Sequence, residues 1–107
     1  MAVDSMIQQQ AQAGLAHERE QINAIDQQIA ALLAKRFETV DRIAQLKQTA
    51  GVPVKNLDRE AQVLDSVAQA IGAKELAPHA RKIFATIMAE SRAYQTQKIH
   101  AEHMEEN

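Results

Sequence analysis

A chain of 107 residues has material for one domain and not two, and 46% hydrophobic with 24% charged residues describes a globular protein, not a disordered one. Three Gly, two Pro and 3% aromatics leave little for the tight turns of a β-protein, whereas frequent Ala, Gln, Leu and Ile favour helix. A formal net charge of −2 gives no basic excess for nucleic acid, and the absence of cysteine excludes a disulfide framework and a thiolate metal site.

Residues 1–16, "MAVDSMIQQQAQAGLA", are rich in Gln and Ala and show no sustained apolar period. They are expected to form a flexible N-terminal extension, either frayed helix or disordered tail. They lack the basic n-region and apolar core of a signal peptide, and no apolar run in the chain approaches the ~20 residues of a membrane span. The expectation is a soluble cytoplasmic protein, the alternative being an exported one whose signal is missing.

A helical domain is expected over residues 17–99. Its first helix runs from about His17 to about Thr49, with Ile22, Ile25, Ile29, Leu32, Leu33, Val40 and Ile43 on one stripe. Gly51 suits the position just past its end, and Pro53 cannot continue it. Some 30 residues at 1.5 Å each make a rod of roughly 45–50 Å. A compact 100-residue domain has a radius of gyration of only about 13 Å, so the rod calls for a second chain beside it. Asp58 reads as the N-cap of a second helix with Glu60 in its first turn, a stripe of Val63, Leu64, Val67 and Ile71, and Gly72 at its end. Pro78 opens a third helix at or near its first position, with Ile83, Phe84, Ile87 and Met88 as its stripe. Residues 100–107 read as a frayed polar tail. His100 and His103 are spaced to share a metal but lack a third ligand, and are expected to be surface histidines. The fold class is all-α, three helices with one long.

Several polar residues interrupt these stripes. Arg36 follows Leu32 by four and Leu33 by three, and Lys47 follows Ile43 by four. Glu60 precedes Val63 by three and Leu64 by four. Ser91 follows Ile87 by four and Met88 by three, and Gln95 follows Ser91 by four. An unpaired buried charge costs several kcal/mol, so partners or a bound ligand must offset it. If the three stripes face one core, these five groups line a polar pocket in a helical bundle, with Arg19 and Arg59 on its flanks. Two cations and one acceptor suit a small ligand with more than one carboxylate and a hydroxyl. The pattern contains no cysteine, no Ser–His pair on a stripe and no Gly-rich phosphate loop.

Arg19, "IDQQIAALLAKR" ending in Arg36, Lys47, "PVKNLDRE" ending in Arg59 and Glu60, and "IMAESRAYQ" with Ser91 and Gln95 occur in an order and spacing that resembles the all-helical (type II) chorismate mutases. The resemblance covers about residues 17 to 97. It implies an intertwined homodimer with two shared active sites and a cofactor-free, metal-free Claisen rearrangement of chorismate to prephenate, on the route to phenylalanine and tyrosine. By position, Arg19 resembles the Arg supplied across the dimer to a substrate carboxylate, and Arg36 the same-chain carboxylate ligand. Lys47 resembles the Lys that contacts a carboxylate and the ether oxygen, and Gln95 the second donor to that oxygen. Glu60 resembles the acceptor for the ring hydroxyl, and Ser91 and Arg59 further binding groups. Asn56 stands where some relatives carry Asp, which leaves its contribution to substrate binding open. Relatives of this fold also rearrange an amino-substituted chorismate or eliminate pyruvate from isochorismate. Glu60 as an acceptor does not separate hydroxyl from ammonium. A non-catalytic helical dimerisation module is the third reading.

Overall fold

The computed structural model describes residues 2–106, with side chains up to residue 101. It holds three helices: α1 (Ala2–Ala50), α2 (Leu57–Ile71) and α3 (Ala77–Glu106). Among the described residues there is no strand. The chain divides into two units, Met1–Arg36 and Phe37–Asn107.

The first unit is helix throughout its described residues. Helix therefore begins well before His17, where the apolar period starts. The reason is local: Ala and Gln are good helix formers, no Pro precedes residue 53, and extending an existing helix needs no new nucleus. The expected stripe is mostly on the surface of this chain, with Ile22, Ile25, Ile29 and Leu32 all exposed, Leu32 at 63%.

The second unit contains the end of α1 with α2 and α3. Gly51 adopts φ 69°, and α1 closes through Gly51 N–H donating to the Gln48 carbonyl at 3.3 Å and Val52 N–H to the Lys47 carbonyl at 3.0 Å. This paired Schellman closure needs a left-handed residue, and only glycine adopts that conformation without a Cβ clash. Replacing Gly51 with alanine is expected to lower stability by about 1 kcal/mol, measured by denaturant unfolding followed by CD.

The N-cap of α2 is Asn56, not Asp58. Asn56 is extended (φ −137°, ψ 96°), and its side chain accepts from the Arg59 N–H at 3.0 Å. Both residue types can cap. The earlier start is favoured because it puts the carboxylates of Asp58 and Glu60 together in the positive first turn. Gly72, φ 78°, ends the helix as expected. Pro78 is the second residue of α3, where its missing N–H costs nothing.

The packed face of α3 carries Ala80 and Met88 with the polar Ser91 and Gln95, all buried, beside half-buried Phe84 and Ile87. Ile83 sits about 100° around the helix from the centre of that face, which explains its 59% exposure despite its place in the expected stripe. α1 contributes buried Val40 and Ala44. Side chains join α1 to α3. The Phe37 and Tyr94 rings meet edge to face with centroids 5.3 Å apart, and Lys98 Nζ lies 3.6 Å from Asp41 Oδ2. The Asp41 carboxylate, and after it Tyr94, raises the Lys98 ammonium above its ordinary pKa. A raised ammonium pKa stabilises the fold below the unfolded value and is lost only as pH rises through the folded one. The Lys98 ammonium therefore adds no pH dependence near neutrality.

The core is thin. Four hydrophobic residues, Val40, Ala44, Ala80 and Met88, are buried, and among the described residues none of the large side chains is completely enclosed. Large apolar groups left in water are a stability deficit that a second surface can correct, since burial of each contributes about 1.5–3 kcal/mol.

Candidate functional site

Lys47 lies in the last turn of α1. The Gly51 closure turns the chain back sharply enough for the Lys47 Nζ to donate to the Val54 carbonyl at 2.6 Å. The same ammonium donates to Gln95 Oε1 on α3 at 3.2 Å. An ammonium has three N–H donors, so these two bonds leave one for a ligand. The Gln95 oxygen is taken by Lys47, which turns its NH₂ into the group available to a ligand. Gln95 is only 6% exposed, so its amide is held by packing as well as by that bond. Two donors of different type, one charged and one neutral, thus stand side by side. Among the described residues no side-chain N or O atom that is itself fully enclosed lacks a hydrogen-bond partner.

One turn before Gln95, Ser91 is buried and donates to the Ile87 carbonyl at 2.7 Å. Such a bond to the residue four back satisfies the hydroxyl proton inside the helix. Glu60, in the first turn of α2, forms an ion pair with Arg92 of α3: Arg92 Nη1 donates to Glu60 Oε1. The pair is partly sheltered, with the side chains 23% and 30% exposed.

An open groove of about 660 Å³ adjoins Lys47, along the α1–α2 turn, and is lined by Lys55, Asn56 and Asp58 among others. Asn56 Oδ1 is committed to capping α2, which makes the side chain a structural group first. Asn56→Ala is expected to cost about 1 kcal/mol in stability and Asn56→Asp little, since Asp caps equally well, as read by thermal melts. Arg59 is exposed and contributes its backbone N–H to the cap. Arg19, exposed, and Arg36, half-buried, are carried by α1 within the first unit.

Lys47, Glu60, Ser91 and Gln95 stand out in the sequence as polar groups on apolar stripes, whereas Arg92 and the Val54 carbonyl do not. Arg92 was legible in principle: a carboxylate at the centre of an apolar stripe demands a cation, and Arg92 follows Ser91 directly. The Val54 contact was not, because a backbone acceptor carries no sequence signal. His100 is exposed, and the side chain of His103 lies outside the described residues. Among the described residues no three of His, Asp and Glu are grouped as metal ligands, and no helix is long and apolar enough to cross a membrane.

A search of curated proteins returns no match, and neither does a search of solved structures. The family model described as chorismate mutase type II matches residues 18–96. That span includes Arg19 and Arg36, the Lys47–Gln95 pair, Glu60 and Ser91. Three helices, ordered polar residues on apolar faces and a match over most of the chain converge: this protein belongs to the type II chorismate mutase family.

Proposed function

We propose that the chain is a chorismate mutase, rearranging chorismate to prephenate on the route to phenylalanine and tyrosine. The observation that carries this reading is the pair of donors at Lys47 and Gln95, each with hydrogen-bonding capacity left over after its protein contacts. In the rearrangement an ether C–O bond breaks as a C–C bond forms within one molecule. No proton, nucleophile or electron acceptor takes part. What helps is a folded, near-attack shape and stabilisation of the negative charge growing on the ether oxygen. Lys47 Nζ and Gln95 Nε2 are suited to that oxygen, and both are held before substrate arrives. Arg36 takes one carboxylate, and the one N–H that Lys47 has left is shared between the ether oxygen and the other carboxylate. Glu60, whose Oε1 is used by Arg92, accepts from the ring hydroxyl through Oε2. Ser91, Arg59 and Asn56 complete the binding set.

In this proposal the protein is a homodimer, with Arg19 supplied to each site by the other chain. Support comes from the exposed row Ile22, Ile25, Ile29 and Leu32 on α1 and from the thin core of the single chain. Leu32→Asp would place a charge in that interface and is expected to convert the dimer to monomer or unfolded chain, read by sedimentation and CD.

The experiment is loss of the chorismate ultraviolet absorbance on adding purified protein, with product analysis. Prephenate supports the proposal. Pyruvate with salicylate from isochorismate would assign the lyase reaction instead. A folded protein that neither binds nor consumes chorismate would leave the dimerisation module.

A further inference from the structure

From the ion pair between α2 and α3 we infer that Arg92 is a positioning and specificity residue, which sets Glu60 to accept a neutral hydroxyl and to reject an ammonium. The inference rests on the mutase reading and narrows its substrate. A bare carboxylate in a partly sheltered site would accept from either group and would favour the cation. Here the carboxylate is already neutralised, because Arg92 Nη1 donates to Glu60 Oε1 and a guanidinium does not lose its proton in proteins. The remaining oxygen, Oε2, still accepts a hydrogen bond from an O–H. A substrate ammonium at the same place would gain little net attraction and would meet the positive charge of Arg92. Specificity then comes from a repulsive element against the competitor as much as from contact with the substrate.

A purely structural role is the competing account, since the ion pair also ties α2 to α3. The molecule provides a control for it. Arg81 Nη2 and Asp65 Oδ1 tie the same two helices at 3.1 Å, on the surface. Arg81→Met removes a tie without touching Glu60.

The test compares kcat/KM for chorismate with kcat/KM for the analogue bearing an ammonium in place of the ring hydroxyl. Where turnover of the amine is too slow, its inhibition constant against chorismate supplies the comparison. The ratio of the two substrates is independent of the fraction of folded enzyme. Arg92→Met and Arg92→Gln, which remove the charge, are each expected to shift the ratio toward the amine by about tenfold. Arg92→Lys, which keeps the charge, and Arg81→Met are expected to stay near the wild-type ratio. The Gln variant retains a donor to Glu60 and serves if the Met variant does not fold. An unchanged ratio in both charge-removing variants, with wild-type enzyme active on chorismate, overturns the role of Arg92 and leaves the mutase reading intact. A shift of the same size in Arg81→Met assigns the effect to helix packing and overturns it too. Wild-type protein that turns over no chorismate removes the mutase reading and this inference together.

Discussion

Lys47→Ala is expected to lower kcat/KM for chorismate by about 10²–10³-fold, with most of the loss in kcat. The ammonium is the charged member of the donor pair, and the charge it meets on the ether oxygen develops only as the C–O bond breaks. Interactions that strengthen at the transition state appear in kcat, whereas a lost ground-state contact appears in KM. Lys47 also contacts a carboxylate in the proposed site, so KM should rise modestly as well. The variant has a structural cost, because Val54 loses the donor that holds its carbonyl at 2.6 Å. About 1–2 kcal/mol of stability is expected to go with it, which a chemical denaturation curve measures. Gln95→Ala separates chemistry from architecture more cleanly. It removes the neutral donor and leaves Lys47 bonded to Val54, so a folded protein with about 10²-fold lower kcat is expected. A Gln95→Ala protein as active as wild type would contradict the donor-pair mechanism.

Mixing two inactive proteins is expected to restore activity. Arg19→Ala and Lys47→Ala chains, unfolded together in equal amounts and refolded, should form mixed dimers as half of the population. In each mixed dimer one site combines an intact Arg19 from one chain with an intact Lys47 from the other, and the second site has neither. About one quarter of wild-type activity is the expected yield for an isologous dimer with shared sites. The measurement is initial rate of chorismate loss before and after co-refolding. If each chain builds a whole site from its own residues, mixing recovers nothing, and the shared-site arrangement is refuted. The result also bears on the row of isoleucines on α1, which the single chain leaves in water.

The helices were legible in the sequence because their signals are local. Propensity, the absence of Pro before residue 53 and the glycines at 51 and 72 define where helix can run and where it must stop. The start of α1 was legible only as one of two alternatives, because a Gln- and Ala-rich segment without an apolar period reads equally as frayed helix or as disordered tail; its propensity lets an existing helix extend through it. The cap of α2 was misread for a related reason. Asn56 and Asp58 are both competent, and the choice between them depends on how the whole first turn is charged.

By itself the sequence determined the all-α class, the polar interruptions at Lys47, Glu60, Ser91 and Gln95, and the family to which their order and spacing belong. These follow from periodicity and residue type, which the linear chain carries. Only the tertiary structure decided how those groups are used. Residues 48 positions apart, Lys47 and Gln95, were shown to bond to each other, and the Val54 carbonyl was shown to share the ammonium. Glu60 proved to be one half of an ion pair, with its partner 32 residues away on another helix. Whether a polar group on an apolar face is satisfied by the protein or kept for a ligand depends on which side chains meet across helices. Helical periodicity gives the face on which a residue lies but not what stands opposite it.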